Sequence, residues 1–227
     1  MAKKKFFITG TDTDVGKTLI ATGLLHAAAA AGLTTAAIKP VAAGCELTAD
    51  GLRNADALAL MEVMTLELPY EEVNPVAVAA PVAPHIAAMQ ENKLLAVSRL
   101  AGFCNGVLMA PCDLVLVEGA GGWRVPLNQG ETLAHLAMTL KLPVILVVGM
   151  KLGCINHALL TAEAIKRDGL VLAGWVANRI DPDMSCYEEN LLTLQTLLQA
   201  PCLGDVPFLS EPDAAQVAAH LNIQAVL

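Results

Sequence analysis

Near the amino terminus the apolar run Lys5–Thr9 meets Gly10-Thr-Asp-Thr-Asp-Val-Gly16-Lys17-Thr18, and a long Ala/Leu-rich stretch begins at once. The order of strand, glycine loop and helix constrains this chain more than any other feature. Glycines let backbone N–H groups close around phosphate oxygens, the lysine ammonium neutralises β/γ charge, the Thr18 hydroxyl is a ligand for Mg²⁺, and the helix N-terminus adds its positive dipole end. Five residues rather than the usual four separate Gly10 from Gly16, so Thr11 stands where the pattern has its first glycine. The Gly-Lys-Thr core is intact.

The remainder alternates short apolar runs with longer helical segments, the mark of βα units around a mainly parallel sheet. Strands are expected at Lys5–Thr9, Thr35–Lys39, Leu114–Glu118, Val144–Val148 and Leu172–Asn178, with a weaker one near Leu203. Helices are expected at Thr18–Ala31, Asp56–Met64, Leu94–Met109, Leu133–Leu140, Asn156–Asp168 and Glu188–Leu198. The segment Leu66–Gln90, with four prolines, reads as an ordered excursion on the surface. With 227 residues and no linker or repeat, one domain spanning 1–227 is expected, able to bury roughly 70–75% of its unfolded surface without disulfides or a structural metal.

Charge and composition exclude several functions. Fourteen basic against 22 acidic residues give −8 and no basic face for nucleic acid. Thr18–Ile38 has no charged residue over 21 positions, yet its threonines and its Ala27–Ala31 run suit a packed helix rather than a membrane span, and Pro75, Pro81 and Pro84 interrupt the other uncharged stretch. The start Met-Ala-Lys-Lys-Lys-Phe-Phe is unlike a secretory signal, so a cytoplasmic protein without a membrane role is expected. Six cysteines form no Cys-x-x-Cys pair and read as packed thiols, with Cys154 set apart by its glycine loop.

In open α/β sheets ligands bind at the carboxyl ends of the strands. Asp113-Leu-Val-Leu-Val-Glu118 ends in a carboxylate there and opens into Gly119-Ala-Gly-Gly122. Asp56 follows Arg53-Asn-Ala; locally it is equally well a helix cap or a metal ligand. Lys39 ends the second strand before Pro40, and its local sequence does not choose between a solvated lysine and one that steers an anionic intermediate.

Taken together, the 10–18 loop, Lys39-Pro-Val-Ala-Ala-Gly44, Gly51-Leu-Arg-Asn-Ala-Asp56, Val117-Glu-Gly-Ala-Gly-Gly122, Lys151-Leu-Gly-Cys-Ile-Asn-His157 and Gly174-Trp-Val-Ala-Asn178 resemble the dethiobiotin synthetases, in order from residue 6 to about residue 209. The resemblance implies a single-domain P-loop α/β fold, its mainly parallel sheet carrying helices on both faces. It also implies an ATP- and Mg²⁺-dependent reaction: 7,8-diaminononanoate takes up CO₂ or bicarbonate as a carbamate, ATP phosphorylates it, and the second amine closes the cyclic urea. By the same resemblance the catalytic residues are Lys39, Lys17 and Thr13. Asp14, Val15, Gly16, Lys17, Thr18 and Leu19 hold the triphosphate, and Thr18, Asp56 and Glu118 hold the metal. Gly119, Ala120 and Gly121 border the nucleotide, while Asn178 and Arg179, with Pro207, Phe208 and Leu209 opposite, flank the base. Thr13, Lys39, Ala43, Cys154, Ile155 and Asn156 meet the substrate, the last three across a homodimer interface.

Two positions depart from that family. Many members have Ser at Ala43 and Glu at Asp14, and the register of Tyr187 against the family's substrate tyrosine is open. The competing class is a partition or division-site ATPase switch, which usually carries a second lysine at the opening of the loop; Thr9-Gly-Thr-Asp has none, and Ala214–Leu227 lacks the Lys and Arg of a membrane-targeting helix.

Overall fold

The alternation of apolar runs and helical segments resolves, in the computed structural model, into one six-stranded parallel sheet; the structure describes residues 3–225. Strand β1 (Lys4–Gly10) feeds α1 (Lys17–Ala30), which returns to β2 (Thr35–Ile38). An antiparallel hairpin follows, β3 (Glu46–Thr48) with β4 (Gly51–Arg53), then α2 (Ala55–Val63), α3 (Tyr70–Val73), α4 (Pro84–Gln90) and α5 (Val97–Met109). The chain re-enters the sheet at β5 (Leu114–Glu118), continues through α6 (Leu133–Leu140), β6 (Val144–Met150), α7 (Cys154–Arg167), β7 (Leu172–Arg179), α8 (Tyr187–Leu197) and β8 (Cys202–Val206), and ends with α9 (Ala214–Ala218) and a 3-10 turn at Ile223–Ala225.

The order β2-β5-β1-β6-β7-β8 puts β1 between two strands that are distant from it in sequence. The chain moves one way from β1 to β2 and the other way through β5, β6, β7 and β8, so right-handed crossovers send α1 to one face and α5 to α8 to the other. Period-two alternation sorts the strand residues accordingly. Phe6, Ile8, Leu114, Leu116, Ile145 and Val147 pack with α1 and α9, whereas Phe7, Val115, Val117, Val144, Leu146 and Val148 pack with α5, α6 and α7. Every residue of β5 and β6 is buried, as strands covered on both faces require. The strand order reverses beside β1, and the crevice at its carboxyl end is where such folds bind ligands.

Several expectations are corrected in detail. Leu66–Gln90 is more than a surface excursion: Glu67, Glu71, Glu72, Pro81, Val82 and Met89 are exposed as expected, but the segment also holds α3 and α4 and buries Tyr70, Val73, Asn74, Val76 and Val78 against the sheet edge, with Ala42 and Ala77 bridged. Its prolines sit at helix starts or between segments, where the missing N–H costs little. The helix expected from Leu94 starts at Val97, because Ala96 is extended and the Val97 amide is taken by Glu131 Oε2 at 3.0 Å. The second strand stops at Ile38, one residue before Lys39. The hairpin β3–β4 was not expected, since three exposed or half-buried residues per strand carry no apolar alternation. Among the described residues no helix is long and apolar enough to cross a membrane. Met1 and Ala2 of the basic start, and Val226 and Leu227 of the tail, lie outside the described residues.

Candidate active site

The glycine loop owes its shape to contacts as much as to its glycines. A Cβ on Gly10 would stand 2.6 Å from Val15 Cγ2 and 3.2 Å from Lys17 Nζ, so Gly10 supplies the close approach although it lies one residue before the usual position. Thr11, at that position, accepts a bond from the Gly149 amide at 3.4 Å and ties the loop to β6. Gly16 has φ +87°, and any side chain there would collide with the Asn178 amide, whose Nδ2 donates to Val15 O at 2.9 Å. Asp14 has φ +56°, a left-handed conformation that Asp and Asn tolerate better than longer side chains. Lys17 folds back over the loop and donates to Asp12 O at 3.1 Å. After β5, Gly122 passes beside Gly10 and Thr11, and a Cβ on Gly121 would lie 3.5 Å from Thr13 Oγ1.

At the mouth of this loop four side chains converge, from α1, α2, β5 and the residue after β2. Lys39 Nζ stands 2.6 Å from Glu118 Oε1 and 2.7 Å from Asp56 Oδ2, while Thr18 Oγ1 donates to the same Glu118 oxygen at 2.7 Å. Glu118 is fully buried and Lys39 is 4% exposed. Burial works against the Lys39 charge, but Glu118 and Asp56 outweigh it and hold the ammonium above the ordinary lysine value. Burial likewise works against the Asp56 carboxylate, and Lys39 outweighs it to hold the group below the ordinary aspartate value. For Lys17, burial and then the Lys39 ammonium lower the value.

This donor set fits Mg²⁺. The ion prefers one or two carboxylates, a hydroxyl and phosphate or water oxygens in a small octahedron. Glu118 Oε2 is buried with no hydrogen-bond partner, Thr18 and Lys39 hold the other oxygen, and Asp56 stands on the far side of the Lys39 ammonium. Among the described residues no group of three or more His, Cys, Asp or Glu is placed to hold a metal ion, so the fit here rests on two carboxylates and a hydroxyl.

The cluster opens into a cavity of about 910 Å³. Thr13, Asp14, Gly16, Lys17, Thr18, Lys39, Ala43, Asp56, Ala120 and Gly121 all line it, so residues expected at the phosphate loop, the metal and the substrate meet in one place. Pro81–Pro84 and Arg124–Pro126 form further walls that were not foreseen; the proline clustering was a signal for the first, and Arg124–Pro126 carried none. Val15 is buried beneath the loop, Leu19 is half-buried on α1, and Gly119 donates to Ile8 O at 2.9 Å.

Two expected groups lie away from that cavity. Cys154, Ile155 and Asn156 open α7 after Gly153; the Cys154 amide is already bonded to Lys151 O at 3.0 Å and its thiol is buried, while Asn156 is exposed. Arg179 sits at the end of β7, 4.6 Å over the Tyr187 ring, and Tyr187 donates to Asp205. That pairing places Tyr187 on the β7–β8 side, where Pro207 and Phe208 are exposed and Leu209 is half-buried.

Over residues 4–216 the chain matches the family described as AAA domain. It is 62% identical over 227 residues to the ATP-dependent dethiobiotin synthetase BioD of Cellvibrio japonicus, covering 100% of the chain and 99% of the relative. Identity to the protein of the same name from Pseudomonas aeruginosa is 62% over 219 residues, 96% of each chain, and to that from Marinobacter nauticus 54% over 223 residues, 98% and 95%. Among solved structures, the septum site-determining protein MinD of Pyrococcus horikoshii complexed with Mg-ADP superposes with TM-score 0.59 at 16% identity, over 99% of this chain and 89% of that one. A ParA family ATPase from Chlorobium tepidum gives 0.57 at 12% identity, over 99% and 93%. At such identities these two share the P-loop fold alone.

Proposed function

The chain belongs to the family of ATP-dependent dethiobiotin synthetases, and from that premise we propose how its residues divide the work. It is an ATP-dependent ligase of biotin biosynthesis. Its substrates are 7,8-diaminononanoate and CO₂, which ATP-driven ring closure converts to dethiobiotin with release of ADP and phosphate.

The observation that carries the division of labour is the buried Lys39 ammonium, held 2.6 Å from Glu118 and 2.7 Å from Asp56 at the mouth of the phosphate loop. Lys17 and the 14–19 backbone bind the triphosphate, because loop N–H groups, a helix N-terminus and an ammonium converge there. Thr18, Asp56 and Glu118 hold Mg²⁺, which when bound neutralises charge on the phosphate oxygens. Lys39 and Thr13 orient the carbamate and offset the charge that grows as the phosphoryl group transfers. The final closure of two neighbouring amines needs fixed geometry more than acid or base strength, and the cavity walls 81–84 and 124–126 supply it. Asn178 and Arg179 with Pro207–Leu209 border the base. Residues 1–227 act as one domain in a cytoplasmic homodimer, with Cys154, Ile155 and Asn156 at the partner subunit's substrate and the N–H groups of Ile155 and Asn156 facing it.

The test is ADP release with and without 7,8-diaminononanoate and bicarbonate. Turnover that depends on both is expected. ATP hydrolysis indifferent to the diamine would favour an ATPase switch and remove the proposal.

A further inference from the structure

Lys39 and Asp56 meet although they come from different parts of the chain, and a buried relay of hydrogen bonds joins the two backbones behind them. The Asn54 amide donates to Tyr70 Oη at 2.7 Å, Tyr70 Oη donates to Asn74 Oδ1 at 3.0 Å, and Asn74 Nδ2 donates to Lys39 O at 2.7 Å. At its other end Asn54 caps α2, its Oδ1 accepting from the Asp56 amide at 3.1 Å and the Ala57 amide at 3.3 Å, and its Nδ2 reaches Ala43 O at 3.4 Å. Asn54, Tyr70 and Asn74 are all buried.

We infer that Tyr70 is a positioning residue for the reaction: its hydroxyl sets the distance between the backbone of Lys39 and the helix start that carries Asp56. The relay has one direction. Each donor meets an acceptor, and among the described residues the Tyr70 hydroxyl is the link that both accepts from Asn54 and donates to Asn74, whose Nδ2 also lies 3.5 Å from Val76 O. Removing the hydroxyl leaves a buried N–H and a buried carbonyl oxygen unpaired and loosens the link between the two segments, leaving the bond from Asn54 Nδ2 to Ala43 O and the Lys39–Asp56 ion pair to hold them. The ring itself is held separately, by the Arg53 guanidinium 4.1 Å over its face. The inference rests on the reading of Lys39 and Asp56 as working residues of the site.

Tyr70→Phe tests it, since the ring and its Arg53 contact remain. In the ligand-free protein, hydrogen exchange at the Asn54 amide should rise. In the active enzyme kcat should fall roughly tenfold or more, because a misplacement of about 1 Å costs up to about a hundredfold, while KM for ATP stays near wild type. Asn74→Ala should behave alike, and the double variant should be no worse than the worse single one, since one relay cannot be broken twice. Unchanged kcat in Tyr70→Phe, or additive losses in the double variant, would overturn the inference. So would a joint decline of kcat, ATP affinity and melting temperature matching that of Val217→Ala, a core truncation on α9 that makes none of the relay's hydrogen bonds. Should Tyr70→Phe not fold, Asn74→Asp, which keeps the acceptor for Tyr70 and removes the donor to Lys39, decides the same question by the same split of kcat from KM. Lys39→Ala runs alongside: wild-type kcat in that variant would sink the site reading itself, whereas its loss with an unaffected Tyr70→Phe sinks only the relay.

Discussion

Lys39 carries a charge almost out of reach of water because two carboxylates stand within 2.7 Å of it. A buried ammonium so placed is worth most where negative charge grows, so Lys39→Ala should lower kcat by about 10²–10³ while nucleotide affinity changes little. Lys39→Arg should restore little, as a planar fork cannot sit at the point where Glu118 and Asp56 converge. Separate measurement of kcat and ATP affinity checks both, and a loss confined to ATP affinity would make Lys39 a binding residue only. Glu118→Gln and Asp56→Asn each remove a hard anionic donor, and half-maximal turnover should then need much more Mg²⁺; an unchanged Mg²⁺ titration in Asp56→Asn would return Asp56 to a helix-start role. At this scale the local sequence marked Glu118 well, since a carboxylate closing an all-apolar strand has few other uses. It left Lys39 and Asp56 undecided, because their meaning lies in a contact between residues 17 positions apart. Tyr70 and Asn74 carried no mark at all in a segment that reads as loop.

The elements explain why these contacts hold. Gly16 joins β1 to α1 in a left-handed conformation and lies against the Asn178 amide, so two elements close on one backbone position. Gly16→Ala should therefore abolish ATP binding, measured by calorimetry, and lower the melting temperature, since strain and collision act together. A second junction links the segment after β5 to the end of α7: Asp168 accepts from Trp123 Nε1 at 2.8 Å and pairs with both terminal nitrogens of Arg124 at 2.8 Å. Burial works against that carboxylate, but Arg124 and Trp123 outweigh it and hold it below the ordinary aspartate value. Its contribution to stability is then fully present above pH 3.8 and lost as the pH falls towards the lowered native value. Melting temperature followed from pH 7 down to pH 3 should fall more steeply for wild type than for Asp168→Asn; parallel curves would show that the pair adds nothing. The strands and long helices were legible from period and length, whereas α3, α4, α9 and the β3–β4 hairpin were not. These are short pieces whose shape comes from what they pack on rather than from their own periodicity.

For the whole molecule, the proposed homodimer predicts a light-scattering mass near twice 23.7 kDa, retained at assay concentrations; a fully active monomer would remove the shared-site part of the proposal. Exposed Leu152, at 91%, sits in the loop before α7 that this assembly would cover. By itself the sequence determined the fold class, the phosphate loop, the acidic end of β5 and the family, because each is written in contiguous residues: alternation, glycine spacing and a strand that ends on a charge. Only the tertiary structure decided that Gly10 takes over the close approach that Thr11 does not supply, that Leu66–Gln90 sends Tyr70, Val73, Asn74, Val76 and Val78 into the core, and that Lys39, Asp56, Thr18 and Glu118 form one cluster. The physical reason is the strand order. Parallel strands distant in sequence bring their carboxyl ends to one edge, and what a lysine there does depends on which carboxylates the neighbouring strand and helix deliver, at distances no local pattern encodes.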